Sequence, residues 1–358
     1  LISYRKHKLL VAPLDWGLGH ATRCIPIIRG LLSNGHEVVL AAEKGQAALL
    51  QQEFPQLKII PLKGYRVQYS RSKAFFALKL MTQLPRIYAA IRQEHQWLKK
   101  IVDAEKITCV ISDNRYGLYH ETIPCFLITH QLTIKAPFQW VEQLLQRINY
   151  RFINHFKACW VPDMAATPGI AGVLSHPEEM PAVPVHYINL LSRFVKESVP
   201  VKYDLCVLLS GPEPQRSLLE EKILHQLSGV SARILLVRGR PEDTGLPTVP
   251  AHVTVLNHLP GEALGAVIQQ SELIICRSGY TTVMELLSLQ KKMILIPTPG
   301  QTEQEYLAGC LSRAGMAMMI QQGGFELASA LARAQQFAFE QGKVQLFDNQ
   351  QLNALLES

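Results

Sequence analysis

Leu273-Ile274-Ile275-Cys276-Arg277-Ser278-Gly279-Tyr280-Thr281-Thr282-Val283-Met284-Glu285 reads as a buried strand that runs through a Ser-Gly turn straight into a helix. A short apolar run ended by a turn signal fits a strand covered on both faces, and polar residues at the start of the next periodic stretch fit a helix that begins at the turn. The same unit recurs on either side, at Leu205-Cys206-Val207-Leu208-Leu209, Ile234-Leu235-Leu236-Val237, Val253-Thr254-Val255-Leu256 and Met293-Ile294-Leu295-Ile296. An earlier series runs through Leu9-Leu10-Val11-Ala12, Val38-Val39-Leu40-Ala41, Lys58-Ile59-Ile60-Pro61-Leu62, Cys109-Val110-Ile111, Cys125-Phe126-Leu127-Ile128 and Cys159-Trp160-Val161. Strands alternating with helix-period stretches imply parallel sheets with helical crossovers. Between the series Pro177, Pro181, Pro184 and Pro200 mark a linker in which only Val185-His186-Tyr187-Ile188 is strand-like. The expected architecture is α/β, with two doubly wound Rossmann-like domains over 1–185 and 201–358. They face each other across a cleft and are joined by a linker at 186–200, the last helix being free to pack back on the first domain.

A chain of 358 residues suits two such domains, and 48% hydrophobic residues against 18% charged excludes a disordered chain. No apolar run approaches the roughly 18 residues a bilayer crossing needs. The basic start is followed only by the short run Leu9 to Pro13 and then Asp15, which is not a signal-peptide pattern, so a cytoplasmic protein is expected. Seven cysteines with no CxxC pair read as buried thiols, with neither disulfides nor a metal site expected. Residues 1–200 hold 24 Lys and Arg against 14 Asp and Glu, and residues 201–358 hold 12 against 15. The basic half suits a phosphorylated substrate or an anionic membrane surface; without a zinc finger, an RNP-type aromatic motif or a basic heptad, nucleic acid is not an expected partner.

After the first strand comes Asp15-Trp16-Gly17-Leu18-Gly19-His20-Ala21-Thr22-Arg23, which opens a helix through Ile25, Ile28, Leu31 and Leu32. Free amides at such a helix start favour anions. Glu43, at the end of the second strand, would suit a dinucleotide fingerprint, but Thr22 or Arg23 replaces the third glycine. His20 has the side chain for proton abstraction near neutrality, or else it bonds a loop. Asp113, at another strand end, either orients that imidazole or caps the helix that follows.

In the second half, the amides of Gly279 to Thr282 should point at an anion such as a diphosphate, with the threonine hydroxyls as further donors and Glu285 in reach of a ribose diol. The loop Pro297-Thr298-Pro299-Gly300-Gln301-Thr302-Glu303-Gln304-Glu305-Tyr306 can offer amides and carboxylates to sugar hydroxyls.

The GxGH loop, the RSG-x-x-T-x-x-E helix start and the P-x-x-G-Q-x-x-Q-x-Y loop, in this order, resemble the GT-B glycosyltransferases of family 28. The pattern is nearest to the N-acetylglucosaminyltransferases that form lipid II and further from other UDP-dependent transferases. The resemblance implies an inverting, metal-independent transfer from a UDP-sugar, possession of no cofactor, and a place in cell-envelope glycan synthesis. It implies ribose binding by Glu285, diphosphate binding at Ser278, Gly279, Tyr280, Thr281 and Thr282, and donor-sugar reading by Gln301, Gln304 and Glu305. The nucleobase would meet the backbone around Leu256 and His258, and Ser210-Gly211 would form the first loop of the donor domain. That loop lacks the family's run of glycines, so its phosphate charge would fall to Arg216, while Arg277 would meet the leaving group. His20 and Asp113 match an acceptor-side base and its partner, with Gly17, Gly19, His130 and Gln131 around them. Glu305 and Thr129-His130-Gln131-Leu132 depart from the lipid II enzymes, so neither donor sugar nor acceptor carries over.

Two other readings fit the same residues: a UDP-sugar epimerase or hydrolase, and a nucleotide-binding protein without catalysis. The segment Lys63 to Lys100, with nine basic residues and the single acid Glu94, is expected to form amphipathic helices broken near Pro85. Its basic side either faces water or docks on anionic lipid, bringing in a lipid-linked acceptor.

Overall fold

The computed structural model describes residues 5–65, 76–136 and 138–358, with the backbone alone described over 76–84. The chain divides into two compact units, Leu1–Ser192 with Gln345–Ser358, and Arg193–Val344.

In the first unit the strands are β1 (Lys8–Pro13), β2 (Glu37–Ala42), β3 (Lys58–Pro61), β4 (Cys109–Asp113), β5 (Cys125–Ile128), β6 (Ala158–Val161) and β7 (Val185–Tyr187). Helices α1 (Gly19–Ser33), α2 (Lys44–Glu53), α3 (Phe76–Glu105) and α4 (Gln139–Ile153) cross between them. All pairs are parallel and the order is β3-β2-β1-β4-β5-β6-β7. Alternation along β1 decides which core each side chain enters. Leu9 and Val11 pack with Ile25, Ile28 and Leu31 of α1 on one face, and Leu10 and Ala12 pack with Leu98 and Val102 of α3 on the other. All four β1 side chains are fully buried, which explains a run with no polar alternation; each Leu or Val so buried contributes about 1.5–3 kcal/mol.

Residues 345–358, numbered with the second domain but with the last helix free to pack back on the first, belong to the first unit. Leu352 and Leu356 of the last helix complete its core. Gly30 in α1 is where this segment approaches, since a Cβ there would lie 2.6 Å from Asn349 Oδ1. His186 and Tyr187, expected in the linker, are instead in β7, paired with Trp160 and Val161.

Helix α3 is continuous through Pro85, where a break was expected. Pro85 lies on the exposed side, where water can serve the carbonyl that loses its amide partner. Arg86, Arg92, Lys99 and Lys100 are exposed along it, while Ile91 and Leu98 face the core. Glu94, the lone acid of this stretch, is buried, accepting from Arg115 Nη1 at 2.5 Å and from the Tyr65 hydroxyl at 2.5 Å. Arg66, Arg71, Lys73 and Phe75 of the basic segment lie outside the described residues.

The second unit holds β8 (Tyr203–Leu208), α5 (Gln215–Leu224), β9 (Ile234–Val237), β10 (Val253–Leu256), α6 (Gly261–Gln269), β11 (Ser271–Cys276), α7 (Tyr280–Ser288), β12 (Lys292–Leu295), α8 (Thr302–Arg313), β13 (Met318–Met319) and α9 (Leu327–Gln336). Its parallel sheet has the order β10-β9-β8-β11-β12-β13. In each sheet the order reverses beside the first strand, between β1 and β4 and between β8 and β11. These switch points are where doubly wound sheets bind ligands, beyond the carboxyl ends of the strands.

Candidate functional site

At the first switch point Pro13, the last residue of β1, is in register with Asp113, the last residue of β4. The chain leaves β1 through a loop that turns at Gly17, whose φ of +75° is a left-handed value. The buried Gln46 side chain braces this loop, donating to the carbonyls of Leu14 at 2.5 Å and Gly17 at 2.7 Å. Helix α1 then begins at Gly19, and the spacing of three between His20 and Arg23 puts both on one face.

That face meets Asp113. His20 Nδ1 lies 2.9 Å from Asp113 Oδ2, with 13% of the His20 side chain exposed. Arg23 Nε donates to both carboxylate oxygens at 3.0 Å, and its Nη2 pairs with Oδ1. The same guanidinium places Nη1 2.7 Å from His130 Nδ1 and Nη2 2.9 Å from His20 Nδ1. His130 is itself buried, two residues beyond the end of β5. Complete burial would raise the Asp113 carboxyl, but the charges of Arg23 and His20 and the hydrogen bonds from both bring it down to about 2. Asp113 is therefore a fixed anion serving two cations or donors, not a helix cap.

Arg23 was read from the sequence only as a missing glycine, and its role explains the missing glycine: the position carries the counter-ion of Asp113. Thr22 turns its hydroxyl back to the Gly19 carbonyl at 2.9 Å, and Glu43 faces the Gly64 amide at 3.5 Å. Gln131 is half-buried, its amide bonded to Thr129 Oγ1 at 3.1 Å and its carbonyl to Asn149 Nδ2 at 2.9 Å. The spacing of Arg23 from His20 was the available signal for its part in the cluster.

At the second switch point the material is different. Ser278 is fully buried and donates to the Gln304 carbonyl at 2.9 Å, tying the turn after β11 to helix α8. Gly279 precedes α7 in an extended conformation, with no side chain capping the helix and no acid in its first turn. Such a start presents amides to an anion. Tyr280 is buried, and Thr281 and Thr282 are half-buried. One turn on, Glu285 is buried, and its Oε1 accepts from Arg193 Nε at 2.8 Å. Burial raises its carboxyl and Arg193 only partly offsets this. Arg193, a linker residue that the sequence did not single out, stacks its guanidinium 4.7 Å from the Phe194 ring centre.

Several of the residues expected at the donor site are engaged within the protein itself. Arg277 is buried with its guanidinium turned inward, donating from Nη1 to the carbonyls of Ile296 (3.2 Å) and Pro297 (3.3 Å) and from Nη2 to Gln215 (2.7 Å). Burial brings its pKa down to about 10, and it fastens three strand-end loops together where a contact to a leaving group was expected. Arg216 is also buried and is neutralised by Glu213 at 2.6 Å and Glu220 at 2.8 Å, so the exposed Ser210-Gly211 loop has no spare charge from it. Gln304 and Glu305 turn back onto their own loop: Gln304 Oε1 accepts from the Thr298 amide at 2.9 Å, its Nε2 donates to Gln301 Oε1 at 2.5 Å, and Glu305 Oε1 accepts from the Gly300 amide at 3.2 Å. Beyond β10 the Leu256 carbonyl accepts from the Arg238 amide at 2.9 Å and His258 is exposed. The loop there is shaped by Asn257, whose side chain bonds Arg238 at 2.7 Å and the Asp243 carbonyl at 2.6 Å.

Residues 221–345 match the model of the glycosyltransferase family 28 C-terminal domain. The chain is 22% identical to an uncharacterised glycosyltransferase of Methanosarcina acetivorans, over 87% of this chain and 85% of that one. It is 21% identical to the UDP-N-acetylglucosamine–N-acetylmuramyl-(pentapeptide) pyrophosphoryl-undecaprenol N-acetylglucosamine transferase of Glaesserella parasuis, over 90% of this chain and 88% of that one. Among solved structures, the glycotransferase of kitacinnamycin aligns with a TM-score of 0.67 at 15% identity, covering 99% of this chain and 94% of its own. MurG of Acinetobacter baumannii aligns with a TM-score of 0.58 at 16% identity, covering 99% of each.

Proposed function

We propose that this chain, a GT-B glycosyltransferase similar to family 28, moves a sugar from a UDP-linked donor to the hydroxyl of a lipid-linked acceptor, with inversion and without a metal ion. The observation that carries the reading is the imidazole of His20 held 2.9 Å from the buried carboxylate of Asp113 at a strand switch point. With Nδ1–H donated to Asp113, His20 Nε2 takes the acceptor's proton as the acceptor oxygen attacks the anomeric carbon. The bond from that carbon to the β-phosphate oxygen breaks, and its electron pair leaves with the nucleoside diphosphate. A base so placed is worth about 10² to 10⁴ in rate. The charge that develops on the leaving group is assigned to the amides that open α7 at Gly279 to Thr282. Glu285, one turn in, is assigned to the ribose.

Only the classes of donor and acceptor, a UDP-linked sugar and a lipid-linked hydroxyl, follow the named activity of the Glaesserella relative, the particular sugar and acceptor being left open by the departures at Glu305 and Thr129 to Leu132. The excess of 24 basic over 14 acidic residues in 1–200 agrees with a phosphate-rich, membrane-held acceptor. Among the described residues no helix is long and apolar enough to cross a membrane, so membrane contact is assigned to the surface of the first unit. The test is incubation with UDP-N-acetylglucosamine and other UDP-sugars, with and without polyprenyl-diphosphate saccharides, followed by NMR of the new anomeric centre. A product of inverted configuration that forms only with acceptor present is expected. Free sugar or an epimer formed from the donor alone would replace transfer by the hydrolase or epimerase reading.

A further inference from the structure

The cluster around Asp113 contains three nitrogen bases of different capacity, and their hydrogen-bond arithmetic is restrictive. A guanidinium has five N–H donors and no acceptor, whereas a neutral imidazole carries one N–H and one lone pair. His130 Nδ1 lies 2.7 Å from Arg23 Nη1. Two N–H groups cannot share that distance, so His130 Nδ1 holds the lone pair and its proton is on Nε2. At His20 the balance is reversed. Its Nδ1 lies 2.9 Å from Asp113 Oδ2, an oxygen of a carboxylate that is fully buried, and a lone pair aimed at that oxygen would be repelled. Arg23 Nη2 lies equally near, at 2.9 Å; one of its two N–H groups is taken by Asp113 Oδ1, and its second N–H competes with Asp113 Oδ2 for His20 Nδ1. The fully buried carboxylate wins that competition, because a lone pair on Nδ1 would leave Oδ2 facing it without a proton between them. A charge-assisted bond from Nδ1–H to Asp113 is the stronger arrangement.

We infer that Arg23 is a positioning residue that, with Asp113, sorts the two histidines into opposite tautomers: His20 protonated on Nδ1 and His130 protonated on Nε2. One imidazole then offers Nε2 as a proton acceptor and the other offers Nε2–H as a donor. On the transfer reading above, which this consequence rests on, the first takes the acceptor's proton and the second steadies an acceptor oxygen. The tautomers themselves follow from the contacts and need no substrate.

The experiment is nitrogen NMR of the full chain labelled with ¹⁵N-histidine near neutral pH, with His20→Gln and His130→Gln used to assign the two rings among the 12 histidines. Expected for the unaltered chain are a pyridine-type Nδ1 and pyrrole-type Nε2 for His130, and the reverse for His20. Arg23→Gln should move both His130 nitrogens toward an averaged or charged pattern while His20 keeps Nδ1–H through Asp113; Asp113→Asn should do the opposite. A His130 protonated on Nδ1, or the same tautomer in both rings of the unaltered chain, overturns the inference, and so does an Arg23→Gln spectrum with His130 unchanged. Should Arg23→Gln not fold, the spectrum of the unaltered chain decides alone. A correct tautomer pattern together with full turnover in His20→Ala would leave the inference standing and remove the base from the transfer reading.

Discussion

At the end of β4 in the first unit a carboxylate with no exposure is ringed by a guanidinium and an imidazole, all within 3.0 Å. At the end of β11 in the second unit the turn is built from backbone and a buried serine, and the neighbouring arginines, 216 and 277, face away into carbonyls and carboxylates. The contrast separates two kinds of chemistry. A charged cluster removed from water fixes protonation states and so suits proton transfer. A helix start with no side-chain cap leaves oriented amides, which suit a polyanion without supplying or taking a proton. Arg216 and Arg277 near the second site are spent on holding loops together, so on the proposed reading the diphosphate is left to the α7 amides and the Thr281 and Thr282 hydroxyls.

The strongest way to break this comparison is His20→Ala. Turnover should fall by about 10² to 10⁴ while UDP affinity by calorimetry stays within twofold, because the nucleotide is assigned to the other unit. A parallel loss of UDP affinity would mean that the two strand ends are not separate in function. Next is Asp113→Asn, which strands Arg23 with a buried, unpaired charge and should destabilise the first unit by about 3–5 kcal/mol in denaturant titration. The sign of its pH dependence is fixed. The Asp113 carboxyl is lowered from 3.8 to about 2, so its stabilisation is complete above pH 3.8 and is lost as the pH falls toward 2. The asparagine variant should lack that part of the acid slope, and an identical slope in both proteins would remove Asp113 as an ionised hub.

Glu285→Ala sharpens the second half of the comparison. A buried carboxylate accepting ribose hydroxyls should be worth roughly 1 to 3 kcal/mol of UDP affinity, and unchanged calorimetry would take Glu285 out of the nucleotide site. The smallest expected effect is that of chelation. If helix amides alone meet the diphosphate, EDTA should leave the rate of transfer unaltered; a loss restored by Mg²⁺ or Mn²⁺ would show that a cation supplies what the inward-turned arginines do not.

Much of the frame was legible because burial on both faces leaves a plain mark. Runs such as Leu9 to Ala12 and Ile234 to Val237 have no polar alternation, and each is a central parallel strand. The short strand β13, Met318–Met319, has only two residues and left no such mark. The site residues that were legible are those at or soon after strand ends: Asp113 is the last residue of β4, Ser278 and Gly279 lie between β11 and α7, and His20 opens α1 after the loop that leaves β1. Arg23, Gln46 and Arg193 were not, since a long polar side chain in the sequence looks the same whether it faces water or a buried partner.

Local pattern by itself determined the repeating strand-turn-helix units, the restart after residue 200 and the placing of polar residues at strand ends, because period and turn chemistry act between near neighbours in the chain. Only the tertiary structure decided which charges meet. It paired Arg23 with Asp113 across 90 positions and Arg193 with Glu285 across 92, turned Arg277 inward, and returned residues 345–358 to the first unit. The reason is that a buried charge is stable only beside its partner, and which partner is within reach is set by the order of strands in the sheet rather than by distance along the chain.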